Sequence, residues 1–489
     1  MTSSIDAIVN IIICVIIYLT NFLNLIVMHR THIAAAYILL GALIVPIGTI
    51  HANRIRLDMS ETRGAEDTRF ERIAERLGER VERRFGIKLD DDVLVTAVKE
   101  RNEIMKKTLI VRFFLVNESL PVHVAEWNIT TQNYPLWVRF DANNNRATFT
   151  VDEDAIQSSL EAGEPKGMQR PQHVVMQNVR QDKRIVRGDT QGRPMAGYTF
   201  DVKETTKQIF DSLVKNGKQV IEMRVAFEQP RLYVITGSGT KILTRLSTGK
   251  SNYENSPYGR VQNIQKALHE RINGAYIRKD DVFSFNDALV GAGGWKNALV
   301  IVNGKDLVME PGGGICQAAT TAYRAAVLAG LPVIERKSHS LYVTYYKKYG
   351  VGIDATVYAK KQDMTFRNDT NDDIALLAHT EGNEAYIDVF GTPDGRTVHL
   401  DGPYFSANAP SDVLVNGRAV RPNEIAWKRA VSYENGASYT EVIVSQYQSV
   451  PKKLHLEFPE NRGIAELNGT YAATGTSLPV MLSAAGELF

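Results

Sequence analysis

The chain has 489 residues, and at roughly 100 to 200 residues per domain this predicts about two to four domains. Its 57 basic and 55 acidic residues give a formal net charge of +2, and no Arg/Lys-rich stripe alternates with aromatic residues. Charge therefore gives no reason to expect nucleic-acid binding. Of the 2 cysteines, Cys14 lies in an apolar N-terminal run, so Cys316 has no evident disulfide partner downstream.

The N-terminal segment is strongly apolar. Residues 7–28 and 33–50 form stretches of 22 and 18 residues, each near the ~20 that a helix needs to cross a bilayer. Met28 is an alternative start that would leave one signal anchor, and residues 50–52 lack a small-x-small cleavage pattern. We expect residues 1–57 to be a membrane anchor of one or two spans, with most of the chain extracytoplasmic. The alternative is a buried helical hairpin in a soluble protein.

The next two segments differ in pattern. In residues 58–107, apolar residues recur every three or four positions among Glu and Arg, which predicts a charged helical stalk. Residues 108–151 alternate apolar and polar side chains in short runs, which indicates strands. The stretches "DEDAIQSSLEA" and "VKETTKQIFDSLVKNG" predict helices, and "QVIEMRVAFEQP" predicts a further strand. The sequence thus predicts one α+β domain over residues 108–236.

Asn-Gly pairs mark several tight turns. Asn303-Gly304, between "ALVIV" and "KDLVM", predicts a two-residue hairpin loop, because a type I′ turn needs positive φ at both positions. Asn416-Gly417 and Asn435-Gly436 predict more hairpins in a β-rich C-terminal extension, residues 401–469. Residues 470–489 are weakly patterned and are expected to form a flexible tail.

Two patterns do not support a ligand site. "TRLSTGKS" ends like a phosphate-binding loop, but that loop needs glycine five positions before Gly249, where the chain has Thr244. The 10 histidines are scattered, with no His-Glu-x-x-His pattern. We predict no metal and no cofactor.

Cys316 has the surroundings of a reactive thiol. It follows "PGGG" and opens a helical pattern that ends at Gly330, so it lies where unbonded N–H groups and the helix dipole favour a negative charge. Such a position lowers a thiol pKa, and the same N–H groups are suited to bind an oxyanion. Gly313 and Gly314 are therefore candidate ligand contacts.

A base and an orienting carboxylate follow Cys316 in the chain. "VIERKSHSLYVTYY" predicts a strand with His339, and "GVGIDATVY" predicts a neighbouring strand with Asp354. Adjacent antiparallel strands would place the two side by side as base and orienting carboxylate. The alternative is that Cys316 packs in the core, His339 is a satisfied core or edge residue, and Asp354 forms a turn.

The chain resembles the VanW family over residues 243–378. The family pattern is visible in "RVQNIQKALHERINGAYIRKDDVFSFN", "GGGICQAATTAYRAAVLAGLPVIERKSHS", "VGIDATVY" and "DMTFRNDT". The family's Gly-Gly-Gly-x-Cys-Gln pattern implies roles for Cys316 and Gln317, and Asn286, Arg260 and Asn263 are either structural or substrate-facing. The chain departs from the family between Phe285 and Trp295, where relatives carry an Arg-Thr pair and then Gly-Tyr.

Two further resemblances bear on function. Residues 120–230, through "RIVRGDTQGRPMAGYTFDV" and the helix after it, resemble the YoaR-like peptidoglycan-binding domain that often precedes VanW. "IDAT", residues 353–356, is similar to the Asp-Ala-Thr of transglutaminase-like thiol enzymes. The VanW domain is thus expected over residues 237–400, as an α+β fold whose helix-start Cys316 packs on an antiparallel sheet.

Together these features predict a membrane-anchored VanW-family protein that binds peptidoglycan. It is expected to modify wall peptides by Cys-dependent acyl transfer or amide hydrolysis, with Cys316, His339 and Asp354 as nucleophile, base and orienting group. Gly313, Gly314, Gln317 and Asn286 are the predicted substrate contacts. The alternative is a noncatalytic wall-binding or scaffold protein, and the sequence leaves the oligomeric state open.

Overall fold

A computed structural model of the chain describes residues 59–116, 121–143, 145–215, 219–303, 305–452, 464–465 and 480–482. The predicted anchor, residues 1–57, lies outside this part of the chain. Among the helices that the structure does describe, none combines the length and hydrophobicity needed to cross a bilayer.

The described chain begins with two helices, and strands predominate after them. The helices are α1 (Met59–Phe85), α2 (Asp91–Met105), α3 (Glu153–Glu161), α4 (Val202–Val214), α5 (Tyr258–Lys266) with a π-helical continuation (Ala267–Ile272), α6 (Phe285–Ala288) and α7 (Ile315–Leu328). The strands are β1 (Thr108–Val116), β2 (Pro121–Thr130), β3 (Val138–Asn143), β4 (Arg146–Val151), β5 (Val174–Asp182), β6 (Ile185–Gln191), β7 (Gly197–Thr199), β8 (Val220–Glu228), β9 (Arg231–Thr236), β10 (Gly239–Asn252), β11 (Ala275–Ile277), β12 (Val282–Ser284), β13 (Asn297–Val302), β14 (Asp306–Pro311), β15 (Val333–Glu335), β16 (Tyr342–Val343), β17 (Thr365–Arg367), β18 (Ile374–Glu381), β19 (Glu384–Gly391), β20 (Thr397–Tyr404), β21 (Glu424–Ser432), β22 (Ser438–Gln446), β23 (Ile464–Ala465) and β24 (Val480–Leu482).

The fold is α+β with several sheets, as the sequence predicted, and it divides into two compact units. The described part of the first unit is residues 59–107, 134–143 and 145–151. Helices α1 and α2 lie in the predicted stalk; α1 packs on α2, and α2 packs on β4 of the β3–β4 hairpin. The buried core of this unit contains Ala74, Val81, Leu94, Ala97, Val98 and Ala147.

A closed barrel is the centre of the second unit. Its strand order is β10-β19-β18-β11-β6-β5-β9, with β5 and β9 parallel and the other pairs antiparallel. The barrel takes strands from both sides of residue 236, where the sequence predicted a domain boundary. Apolar side chains fill the middle of the barrel; they include Val174, Met176, Leu232, Val234, Leu243, Leu377 and Phe390.

Smaller sheets complete the second unit. One sheet has the order β2-β1-β8-β7, and another has the order β22-β21-β20-β24. The turns predicted at Asn303, Asn416 and Asn435 are confirmed, since they connect β13 to β14, the bridged residues 415 and 418, and β21 to β22. Of the predicted tail, residues 480–482 are described and pair with β20 as a short strand, and its other residues lie outside the described chain.

Helix α7 packs closely on the barrel strands β10 and β19. The Ser247 hydroxyl donates to the Ala325 carbonyl at 2.8 Å, and the hydroxyls of Ser251 and Thr321 lie 2.7 Å apart. Gly249 lies between these contacts, and a Cβ there would be 2.1 Å from the Thr321 carbonyl oxygen. The buried alanines of α7 allow this close approach.

We predict that Gly249→Ala lowers the free energy of unfolding by at least about 2 kcal/mol, because the new methyl group forces α7 away from β10. Gly237→Ala is the matched control, since a Cβ at Gly237 meets nothing within 4 Å. That control is expected to change stability by less than about 0.5 kcal/mol. Denaturant unfolding measures both, and equal losses in the two variants would contradict the close packing.

Candidate active site

The glycine run sets the start of α7. Gly312 and Gly314 have φ values of +98° and +105°, in the left-handed region that favours glycine. A Cβ at Gly313 would lie 2.7 Å from the Ala298 carbonyl carbon, and one at Gly314 would lie 2.8 Å from Arg260 Cγ. The chain's own atoms thus enclose both glycines that were predicted to contact a ligand.

Cys316 is the second residue of α7 and is partly exposed. Its Sγ lies 3.5 Å from both the N and the O of Val357 and 3.6 Å from the Thr356 hydroxyl. A thiol at this position donates to the Val357 carbonyl, whereas a thiolate accepts from the Val357 N–H. The same residue therefore stabilises the thiol in either protonation state.

Two further side chains of α7 continue this contact along an extended segment, residues 353–357. The Thr320 hydroxyl bonds both the N and the O of Ala355 at 3.1 Å, and Arg324 Nε donates to the Ile353 carbonyl at 2.8 Å. Four residues of a helix rise about 6 Å, and two residues of an extended chain rise about 6.6 Å. Every fourth residue of α7 therefore lies beside every second residue of the segment. Side chains of α7 thus take the place of a neighbouring strand.

The opposite edge of the segment faces residues 336–339. The Thr356 N–H donates to the Lys337 carbonyl at 2.8 Å, and the His339 N–H donates to Asp354 Oδ2 at 2.8 Å. This is an antiparallel register, as predicted. The prediction that His339 and Asp354 lie in β-strands is wrong, however. In a sheet, backbone groups would form these hydrogen bonds. Here the Asp354 carboxylate accepts from the His339 N–H, and side chains of α7 bond the other edge of the segment.

His339 and Asp354 form a buried pair at this edge, with exposed fractions of 7% and 1%. His339 Nδ1 lies 2.5 Å from Asp354 Oδ2. The charge and polar contact of the His339 side chain lower the pKa of the Cys316 thiol, so the imidazole lies beside the sulfur. Because Nδ1 faces the carboxylate, Nε2 is the nitrogen that faces the sulfur. The structure therefore brings the three predicted catalytic side chains together in the order thiol, imidazole, carboxylate.

The surroundings of the thiol favour its ionised form. Burial raises the pKa of Cys316, but the hydrogen bond and charge of His339 oppose this and lower the pKa below its ordinary value. The Val357 N–H and the Thr356 hydroxyl act in the same direction. A lowered thiol pKa is the electrostatic property expected of a nucleophilic cysteine.

The imidazole and the carboxylate also favour their charged forms. Burial disfavours the imidazolium, yet Tyr346, Asp354 and Cys316 hold the pKa of His339 well above its ordinary value. Burial likewise opposes ionisation of Asp354, but the hydrogen bond and charge of His339, with the charge of Arg336, lower its pKa. These directions favour a thiolate–imidazolium pair beside a carboxylate.

Sequence reasoning missed the residues that support Asp354. The Tyr447 hydroxyl donates to Asp354 Oδ1 at 2.6 Å, and Arg336 Nη2 lies 3.6 Å from the same oxygen. Arg336 Nε also donates to the Asp354 carbonyl at 2.6 Å. Tyr447 follows β22 in the predicted C-terminal extension, so its position in the sequence carries no signal for this contact.

The remaining predicted substrate contacts lie elsewhere. Gln317 is fully buried, and its Nε2 donates to the Ser251 hydroxyl at 3.1 Å. Asn286 is partly buried, and its Nδ2 donates to the Gln362 carbonyl at 2.8 Å. Asn263 bonds the carbonyls of both Lys296 and Gly313, which fixes the glycine run. These amides therefore bond to other segments of the protein itself.

The guanidinium of Arg260, which was open to either role, stacks on Tyr345 with 4.2 Å from Cζ to the ring centroid. Its Nη1 donates to the Ser256 hydroxyl at 2.6 Å. Its stem packs at the position where Gly314 lacks a Cβ. Arg260 therefore supports the start of α7.

These features define an α+β protein with a helix-start thiol beside a buried His–Asp pair. Residues 259–390 match the family model described as "VanW like protein", and they contain the whole Cys316, His339 and Asp354 site. The chain therefore carries a VanW-like domain, and the resemblance predicted from its motifs is confirmed. "Uncharacterized protein YoaR" of Bacillus subtilis (strain 168) is 30% identical over 174 residues, which cover 34% of this chain and 55% of that relative. No solved structure matches the chain.

We predict that Cys316 alkylates with an apparent pKa below the ordinary value of about 8.5, because His339 stabilises the thiolate. Iodoacetamide labelling across pH in a Cys14→Ser background measures this on Cys316 alone. In His339→Gln the apparent pKa is expected to rise above about 8.5, since burial then acts unopposed by the imidazole charge. Identical profiles for the two proteins would rule out coupling between His339 and the thiol.

Tyr447→Phe is expected to lower the free energy of unfolding by about 1 to 3 kcal/mol, because it removes a donor from a buried carboxylate. Tyr258→Phe serves as the control, since Tyr258 is 75% exposed. Tyr447→Phe should also lower the apparent thiol pKa, because a carboxylate that loses this donor is more basic and holds the imidazolium more strongly. A stability loss without any change in the thiol pKa would limit Tyr447 to a structural role.

Proposed function

We propose that this protein is an extracytoplasmic, membrane-anchored enzyme that acts on cell-wall peptides through a thioester on Cys316. The observation that carries the proposal is the Cys316, His339 and Asp354 arrangement, with its buried His–Asp hydrogen bond of 2.5 Å. The reaction class is acyl transfer or amide hydrolysis. In this scheme Cys316 is the nucleophile, His339 the general base and then acid, and Asp354 the group that orients the ring.

The first half of the reaction forms the thioester. His339 Nε2 holds the proton of Cys316, and Sγ attacks the carbonyl carbon of the scissile amide. The main-chain N–H of Cys316, at the positive end of α7, is suited to stabilise the resulting oxyanion. The C–N bond then breaks, and the leaving amine takes the proton from His339. Asp354 accepts the Nδ1–H throughout, which keeps Nε2 directed at the reacting atoms.

The second half of the reaction releases the acyl group. A water molecule or an acceptor amine attacks the thioester carbonyl, and His339 Nε2 removes its proton. The C–S bond breaks, and the thiolate regains its pairing with the imidazolium. With water the net reaction is amide hydrolysis, and with an amine it is transfer to a new peptide. Each half returns its proton through the same nitrogen.

Three features support a wall substrate. The apolar residues 7–28 and 33–50 favour attachment to the membrane. Extracytoplasmic proteins usually carry cysteines in disulfide pairs, so a single cysteine on that side of the membrane indicates a chemical role. Residues 120–230 resemble a peptidoglycan-binding domain that often precedes VanW, which supports binding of the wall near the thiol site.

The test incubates the purified full-length protein with muropeptides and detects new products by mass spectrometry. Wild type and Cys14→Ser are expected to release the same products, and Cys316→Ala is expected to lose at least about a thousandfold in rate. His339→Gln should lose activity by a similar factor. Products that persist in Cys316→Ala would contradict the proposal. Binding of muropeptides without any product would instead identify a noncatalytic wall-binding protein.

A further inference from the structure

One end of the barrel interior is polar. On β10, Ser247 and Ser251 face α7, so the alternating Thr248 and Lys250 face the opposite side, into the barrel. Thr248 pairs with Asp388 on β19, and β18 lies on the other side of β19. This end lies beyond the apolar middle of the barrel, and it is separated from the thiol site by the strands themselves. Mouths of barrels are frequent sites of ligand binding.

At this end, one buried carboxylate oxygen and one buried imidazole nitrogen have no hydrogen-bond partner among the described residues. Asp388 is fully buried; its Oδ1 accepts from the Thr248 hydroxyl, but its Oδ2 has no hydrogen-bond partner in the described chain. His379 Nδ1 is also buried without a partner there, and it lies 3.7 Å from Asp388 Oδ2. Buried polar groups are normally hydrogen-bonded. A single hydroxyl group that contacts both atoms would satisfy them together.

The same end carries more cations than carboxylates can match. Arg245 approaches Asp388 Oδ1 only to 3.9 Å, and Lys250 lies over the rings of Tyr349 and Tyr386 at 5.9 and 5.7 Å. No carboxylate of the described chain forms an ion pair with Lys250. Two cations therefore face one carboxylate, which leaves this end with a net positive charge.

Two neighbouring ion pairs do not alter that balance, because each is already matched. Arg193 pairs with Glu381 at 2.6 Å, and Lys348 pairs with Glu384. Burial disfavours the charged forms of Asp388 and His379. It raises the pKa of Asp388 to about 6 and lowers that of His379 to about 4. Thr248, Arg245 and Lys250 are partly exposed, so they line the side of the buried pair that faces the barrel mouth.

We propose that this end of the barrel binds a small hydroxylated anion, either a sugar acid or a sugar phosphate. A ligand hydroxyl would bridge Asp388 Oδ2 and His379 Nδ1, and the anionic group would neutralise Lys250 and Arg245. The site is separate from the thiol site and requires neither Cys316 nor His339. The proposal therefore stands independently of the enzymatic function.

Isothermal titration calorimetry on the full-length protein tests this site with D-glucuronate and D-glucose 6-phosphate. D-Glucose and inorganic phosphate are the fragment controls. At least one sugar anion is expected to bind about tenfold more tightly than either fragment, since charge-assisted hydrogen bonds and the hydroxyl bridge act together. The better of the two probes distinguishes a carboxylate ligand from a phosphate ligand.

Two variants locate the binding. Lys250→Met and the nearly isosteric Asp388→Asn should each weaken it by at least about tenfold. Lys207→Met is the matched control, because Lys207 is exposed on α4 and should leave affinity unchanged. The proposal is overturned by absence of binding up to about 10 mM, by equal binding of phosphate alone, or by unchanged affinity in both variants.

Discussion

Three side chains on one face of α7 hydrogen-bond the backbone of residues 353–357, and the arrangement of the site follows from that contact. Cys316, Thr320 and Arg324 recur every four residues, and they meet Val357, Ala355 and Ile353. In an extended chain, the backbone N–H and C=O groups of successive residues point to opposite edges. The backbone groups of Asp354 and Thr356, which lie between these residues, therefore point away from α7. That side is where residues 336–339 lie. A helix-to-backbone ladder thus sets the thiol on one edge and the carboxylate on the other.

The ladder needs α7 to be fixed in both position and direction. The glycine run turns the chain sharply into the helix, and Gly249 and the alanines of α7 let helix and barrel approach closely. Arg324 adds bonds to the carbonyls of Lys250, Tyr346 and Gly350, which tie the helix to the barrel and to the loop before Asp354. A rigid support of this kind holds reacting groups within hydrogen-bond reach without a bound substrate.

Burying two ionisable groups beside a partly exposed thiol is costly unless each has partners, and the structure supplies them. Asp354 receives hydrogen bonds from His339 and Tyr447 and lies near Arg336, whose Nη1 donates to the Val444 carbonyl at 2.7 Å. Two of these supports connect the site to the C-terminal β-sheet. The predicted C-terminal extension is therefore part of what stabilises the site.

Local patterns in the sequence predicted the local features well. Helices α3, α4 and α7 and the turns at Asn-Gly pairs follow from spacing and turn chemistry, and the chain order of Cys316, His339 and Asp354 predicted their meeting. The barrel was not predictable, because strands far apart in the chain form it. The sequence also predicted strands at His339 and Asp354, where the structure has none. Side-chain hydrogen bonds replace the backbone pairing of a sheet there, and the sequence pattern does not indicate this. Burial of Gln317 and recruitment of Tyr447 depend on tertiary packing alone.

The chemistry of the site depends on a proton that His339 shares with Cys316, and on the stabilisation of the charged ring by Cys316 and Asp354. Nitrogen-15 NMR of histidine-labelled protein, with His339 assigned through His339→Gln, measures the protonation of both ring nitrogens directly. Near pH 7 we expect an imidazolium at His339, and we expect it to lose its proton at lower pH once Cys316 is replaced by serine. A neutral His339 ring near that pH, with shifts that do not respond to Cys316→Ser, would contradict it.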